Sequence, residues 1–254
     1  MTPPRHRTVW ITGAGKGIGR ALALKCAAEG CTVAASARTE TDLAALEAQS
    51  VGLPGEIHAF PLDITETPRV ATVVRDIESR VGPIDIAVLN AGTHTPTPIP
   101  DFNPETVRAL FDVNVMGTVN CLSALLANRE ARSGCRIAVV ASLAGYRGLP
   151  KASAYGATKA ALINMCEALK PECERFGIVL SLINPGFVET PLTDKNDFPM
   201  PFLISAEEAA DRVYRSFESN RFETVFPTRF GFVMKTLRLL PDRLLFAITR
   251  RMLR

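Results

Sequence analysis

Seven short apolar runs recur along the chain, and the stretches between them carry helical periodicity. The runs cover residues 8–12, 31–36, 56–60, 84–89, 135–140, 178–183 and 222–226. Ile84-Asp-Ile-Ala-Val-Leu89 and Ile137-Ala-Val-Val-Ala141 are nearly unbroken in apolar character rather than alternating. A strand reads this way when both of its faces are buried. Repeated alternation of such strands with helices predicts an α/β fold, a doubly wound parallel sheet of about seven strands with helices on both sides. With 254 residues, 47% of them hydrophobic, the chain can bury one sizeable core, and the expectation is a single domain over 1–254. No repeat, low-complexity tract or linker interrupts it.

The first apolar run leads directly into Thr12-Gly13-Ala14-Gly15-Lys16-Gly17-Ile18-Gly19, followed by apolar residues at helical spacing. Strand, glycine turn and helix is an arrangement that holds a pyrophosphate. Glycines let the backbone approach closely, and the helix N-terminus presents unpaired N–H groups and a positive dipole end. The spacing is Gly-x-x-x-Gly-x-Gly, different from the common Gly-x-Gly-x-x-Gly fingerprint. Its place at the first strand-to-helix turn of an α/β chain favours a dinucleotide over an ordinary tight turn.

Tyr155 and Lys159 are four residues apart, so a helix would present both on one face. A phenol titrates near pH ~10. A neighbouring ammonium favours the phenolate, and Lys159 is expected to lower the Tyr155 value. Ser142, thirteen residues earlier, supplies a hydroxyl that can hold a substrate oxygen beside the phenol. The trio suits proton transfer at an oxygen whose carbon is being reduced or oxidised.

Together these motifs resemble the short-chain dehydrogenase/reductases over roughly residues 8–227, a family with a Rossmann-like fold. Thr12-Gly13-x-x-x-Gly17-x-Gly19 looks like the family's cofactor loop, with Gly15, Lys16 and Ile18 inside it. Asp63, followed by Ile64, looks like the aspartate that meets the adenine, and Asn90-Ala91-Gly92 looks like the Asn-Ala-Gly turn. Asn114 falls where the family has its helix asparagine, and Ser142, Tyr155 and Lys159 match the catalytic trio. Pro185-Gly186 with Val188 and Thr190 resembles the loop that contacts the nicotinamide carboxamide. The resemblance implies that Lys159 holds the nicotinamide ribose, that Asn114 anchors a water linking Lys159 to solvent, and that the chain forms a homodimer or homotetramer.

The end of the second strand discriminates cofactors, because an acid there binds ribose hydroxyls of NAD and an arginine accommodates the additional phosphate of NADP. The run is Ala35-Ser36-Ala37-Arg38-Thr39, without an acid. The planar guanidinium of Arg38 suits a phosphate, with Lys16, Ser36 or Thr39 adding contacts, so NADP(H) is expected over NAD(H). The resulting expectation is hydride transfer to or from a small carbonyl or alcohol substrate. The contrasting one is a catalytically silent NADP(H)-binding regulator or scaffold, for which intact Asn114, Ser142, Tyr155 and Lys159 would be superfluous.

Residues 228–254 hold seven of the basic side chains and one acid, Asp242, so this segment carries +6 and the remainder −3 within a total of +3. Nucleic-acid binding is not indicated, since the body lacks a basic stripe. The tail reads as two short amphipathic helices broken at Pro241, forming a flap over the substrate mouth, a subunit interface, or, less favoured, a peripheral membrane contact. Residues 187–204, with prolines at 191, 199 and 201 and Pro185 just before, read as a lid or an ordinary surface excursion. Loop 93–100 is expected at the mouth of the site, with His94 on its surface. Pro171 is expected to kink or end the helix that follows Lys159. Six scattered cysteines have neither zinc nor redox spacing, and no segment holds the roughly 18 uninterrupted apolar residues of a membrane span, so a reducing, cytoplasmic setting is the default.

Overall fold

A computed structural model describes residues 7–195 and 200–253. Met1–His6, Asn196–Pro199 and Arg254 lie outside the described residues, so the lid expectation for 187–204, Pro199 included, is addressed only in part.

Seven strands form one parallel sheet: β1 (Thr8–Thr12), β2 (Thr32–Ser36), β3 (Glu56–Ala59), β4 (Ile86–Leu89), β5 (Arg136–Val140), β6 (Val179–Pro185) and β7 (Glu223–Phe226). Their order is β3-β2-β1-β4-β5-β6-β7. The helices are α1 (Gly17–Ala28), α2 (Glu40–Ser50), α3 (Thr67–Arg80), α4 (Pro104–Phe111), α5 (Gly117–Leu126), α6 (Ser153–Arg175), α7 (Ala206–Ser216), α8 (Thr228–Leu239) and α9 (Asp242–Arg251).

The strand period of two sorts side chains into two cores. Val9 and Ile11 of β1 pack with Leu22 of α1, Leu43 of α2 and Ala209 of α7. Trp10, between them, points the other way, into Val70 of α3, Cys121 of α5 and Leu162 of α6. Its indole N–H is satisfied by the Ser36 hydroxyl at 3.0 Å. This bond turns Ser36 into the interior and removes it from the candidate cofactor contacts.

Local chemistry sets the helix starts. Asn103 caps α4 by accepting the Thr106 N–H at 2.8 Å, with Pro104 in the first turn. Ser205 caps α7 by accepting the Glu208 N–H at 3.1 Å, the serine half of a capping box. α6 includes Pro171 and reaches Arg175, so the proline does not end the helix. It forfeits one hydrogen bond, and Cys166 and Cys173 on either side are buried in the core. The run Pro104–Leu126 is long and apolar enough to cross a membrane by composition, yet half of that window is buried in the fold, as in a core helix.

The strand order reverses direction between β1 and β4. The turns leaving these neighbouring strands diverge there and open a crevice at the carboxyl edge of the sheet. The glycine turn, the Asn90 turn, Ser142 and the Pro185-Gly186 segment all lie at the carboxyl ends of strands at that edge.

The tail forms the two expected helices, with Pro241 between them. Met234 of α8 and Leu245 of α9 are buried. Lys235 forms an ion pair with Glu223, whose carboxylate also accepts from the Tyr146 hydroxyl and, at 2.7 Å, from Asn184. Burial opposes ionisation of Glu223, but these donors outweigh it and hold its carboxyl below the usual range. The network fastens α8 to a residue four positions after Ser142.

Candidate active site

Thr12 ends β1 with its hydroxyl turned sideways. It accepts from the backbone N–H groups of Asn90 at 3.0 Å and Ala91 at 3.1 Å. Asn90 reciprocates by donating its side-chain amide to the Thr12 carbonyl at 3.1 Å. Thr12 and Asn90 therefore splice the two diverging turns, and the Thr12 side chain is committed to β4 rather than free for a ligand. Gly13 and Gly17 adopt φ of +67° and +54°, where side chains are strained. A Cβ on Gly19 would lie 2.3 Å from the Gly13 carbonyl oxygen. α1 starts at Gly17 without a side-chain cap and without an acid in its first turn. Its open N–H donors and close-packed glycines fit a pyrophosphate.

A cavity of about 100 Å³ opens beside this turn. It is lined by Ile18, Asn90, Gly92, Ser142, Tyr155, Lys159, Pro185, Gly186, Val188 and Thr190, all singled out from the sequence. Thr93, from the loop expected at the mouth, Leu192 and Thr193, from segment 187–204, and Val140 and Ala141, which end and follow β5, line it as well. Ser142 follows β5 and starts a short 3-10 turn by accepting the Ala144 N–H at 3.1 Å. It donates to the Pro185 carbonyl at 3.3 Å and lies near enough to the Tyr155 phenol to favour its ionised form. Tyr155 and Lys159 rise from the first turns of α6, with the ammonium 5.7 Å from the ring centre. Lys159 donates to the Val140 carbonyl at 3.0 Å.

The electrostatics differ from the sequence expectation. Burial pushes the Tyr155 phenol up to about 12, and the neighbouring Ser142 hydroxyl only partly opposes it. Burial likewise pulls the Lys159 ammonium down to about 8. Each group is penalised in its charged form by removal from water. A stability test follows. The folded chain releases the Lys159 proton near pH 8, while an unfolded chain holds it to about 10.4. Between those values the unfolded state binds more protons, so the stability contribution of Lys159 rises with pH and is least below 8. Lys159→Met, with no charge to bury, is expected to be more stable than the parent at pH 7 by on the order of 2 kcal/mol, with the gap closing by pH 10. Urea denaturation across this range checks it; a constant gap, or a less stable variant at pH 7, contradicts it.

Asn114 is wholly buried in a π-helical turn, 112–116, between α4 and α5. Its amide donates to the Thr93 carbonyl at 2.9 Å and the Thr158 hydroxyl at 3.0 Å, and its oxygen accepts from the Thr93 N–H at 2.7 Å. One acceptor position remains on that oxygen. The space a Gly92 side chain would fill is 3.2 Å from this oxygen and 3.6 Å from the Lys159 nitrogen.

The adenine-end candidates stand apart. Arg38 is exposed at the end of β2. Asp63 turns its carboxylate onto the Thr65 N–H at 2.9 Å and the Thr65 hydroxyl at 2.7 Å. Ile64 is buried against Gly117, so its side chain belongs to the core, because the close approach of α5 there leaves it no path outward. Asp42, not singled out from the sequence, lies against Gly15 and 3.5 Å from the Lys16 ammonium. His94 was expected on the surface but is buried, edge-on to Tyr155 with ring centres 4.7 Å apart. The loop is drawn in at His94 and Thr97, where Thr97 binds the Lys151 carbonyl at 2.8 Å and the Ser153 hydroxyl at 2.9 Å, while Ile99 stays exposed. Segment 187–204 is pinned where Val188 bridges Ile204. Phe230 of α8 stacks on Phe187 at 5.5 Å and on Phe202 at 6.0 Å, and it packs against Gly186, so the tail lies behind the cavity lining rather than in it.

A family profile described as short chain dehydrogenase matches residues 7–199. An uncharacterized oxidoreductase of Myxococcus xanthus is 35% identical, covering 99% of this chain and 100% of its own. The crystal structure of a 3-ketoacyl-ACP reductase from Sinorhizobium meliloti superposes with a TM-score of 0.78 at 30% identity, covering 89% of this chain and 99% of its own. A short chain dehydrogenase/reductase from Burkholderia phymatum, solved in complex with NAD, shares the fold with a TM-score of 0.83 at 21% identity, covering 92% of this chain and 94% of its own.

Proposed function

The chain belongs to the short-chain dehydrogenase/reductase family, and on that premise we propose an NADP(H)-dependent oxidoreductase acting on a carbonyl or alcohol substrate, with Tyr155 as general acid and base. One observation carries the reading: the Ser142 hydroxyl, the Tyr155 phenol and the Lys159 ammonium meet at one cavity beside a glycine turn shaped for a pyrophosphate.

A bound nicotinamide supplies the hydride in reduction and takes it up in oxidation. Ser142 and Tyr155 hold the substrate oxygen between two hydroxyls. With its titration raised to about 12, the phenol stays protonated at neutral pH, loaded as the acid for reduction. As the phenol gives up its proton, the developing phenolate gains most from the Lys159 ammonium close by. Gly92 leaves room between Lys159 and the open acceptor position of Asn114 for a water that returns the proton. His94 braces the Tyr155 ring at its edge. NADPH oxidation, followed by absorbance over a panel of aldehydes, ketones and acyl thioesters, tests the reading; no turnover with any carbonyl substrate counts against it.

The choice of NADP(H) rests on Arg38 and on the absence of an acid at the end of β2. Asp42 beside Gly15 pulls in the opposite direction, and the Burkholderia phymatum neighbour holds NAD. Arg38→Asp is expected to shift the ratio of kcat/KM for NADPH over NADH by on the order of 10–100-fold towards NADH. An unchanged ratio would remove Arg38 from the phosphate site.

A further inference from the structure

We propose that helices α8 and α9 dock this protein on an anionic lipid bilayer. α9 buries Leu245 and Thr249 and leaves an apolar stripe beside them. Leu244, Ile248 and Met252, four residues apart, are 55%, 41% and 54% exposed. On a helix of 3.6 residues per turn, Arg251 borders this stripe, and Arg243 and Arg250 follow it round the exposed surface. α8 shows the same pairing of characters. Phe232 and Leu239, seven residues apart on one face, are 75% and 84% exposed, and Arg238 beside Leu239 is exposed as well. Single exposed apolar residues are ordinary, but this clustering on two consecutive basic helices is not. A helix of this kind lies in the headgroup plane with its apolar side chains sunk into the bilayer, and arginine stems reach back to the phosphates.

Charge selects the occupant. The segment from residue 228 carries +6 while the rest of the chain carries −3. A two-fold contact between two copies would set the same patch against itself, arginine facing arginine. An anionic surface complements both the apolar and the cationic side chains. The location agrees with a membrane partner. α8 begins at the carboxyl edge of the sheet, and its Phe230 stacks on Phe187 and Phe202 and packs against Gly186, which lines the cavity. Phe202 and Leu203 are themselves 47% and 38% exposed, continuing the apolar surface from the tail towards the cavity.

The full-length chain, sedimented with vesicles of phosphatidylcholine containing phosphatidylglycerol, is expected to pellet, and with phosphatidylcholine alone to stay largely in solution. Leu244→Glu with Ile248→Glu, and separately Arg243→Glu with Arg250→Glu, are each expected to lower the bound fraction about tenfold or more. Both double variants change exposed positions, so melting midpoints and NADPH oxidation in solution should match the parent. The pelleting readout does not depend on turnover, which separates failure of this proposal from failure of the hydride-transfer reading. No pelleting with the anionic vesicles overturns it, as does equal pelleting with neutral ones. A dimer by light scattering that dissociates in the Leu244→Glu, Ile248→Glu variant also overturns it, assigning the face to a second copy of this chain.

Discussion

Replacing Tyr155 with phenylalanine is expected to lower kcat by about 10²–10⁴-fold while NADPH still binds. The substitution removes one oxygen and leaves the ring. The edge contact with His94 at 4.7 Å and the Lys159 ammonium 5.7 Å from the ring centre persist. What disappears is the proton and the influence of the neighbouring Ser142 hydroxyl on it. Because the phenol is protonated at neutral pH, the loss falls on the chemical step rather than on cofactor affinity. Single-turnover reduction with saturating NADPH measures the first, and a fluorescence titration of NADPH measures the second. Undiminished turnover would mean that the proton comes from elsewhere, and the roles assigned around the cavity would fall with it.

Gly19→Ala is the second large effect expected. Its added carbon would sit 2.3 Å from the Gly13 carbonyl oxygen and 2.6 Å from the Asn90 side-chain nitrogen. Neither neighbour is free to retreat. The carbonyl belongs to a residue at φ +67°, and the Asn90 amide holds the Thr12 carbonyl. The glycine turn must therefore open, and with it the row of N–H donors at the start of α1. Overpacking of this kind costs about 1–3 kcal/mol in stability. Distortion of the phosphate cradle by a similar amount would weaken NADPH binding by roughly 10–100-fold. Gly148→Ala is the matched control, because a carbon added there meets nothing within 4 Å. Parental NADPH affinity in Gly19→Ala would show that this turn does not carry the cofactor.

Much of the fold was legible in the chain. Apolar runs marked all seven strands, with ends one or two residues out, as at Ile84-Asp85, where Asp85 instead accepts the Thr8 N–H at 2.8 Å. The Tyr155–Lys159 spacing needed only a helix to bring both to one cavity. Other features depended on partners far away in sequence. The Ser36 hydroxyl looked available for a phosphate until Trp10, 26 residues earlier, claimed it. Thr12 looked like part of the cofactor loop, but Asn90 and Ala91 absorb its hydroxyl. His94 had no visible partner at metal or nucleophile spacing, and its place against Tyr155 exists because Thr97 ties that loop to the start of α6. Asp42 drew no notice in the sequence because its proximity to Gly15 is created by the packing of α2 beside the glycine turn.

Sequence alone determined what depends on neighbours along the chain. Strand and helix periods, the glycines that permit a tight turn, and the helical spacing of an acid and its companion are short-range properties. Tertiary structure decided what depends on removal from water. Tyr155 and Lys159 are each pushed towards neutrality because residues from β5, β6 and the Asn90 turn close around them, and no local pattern encodes that loss of solvation.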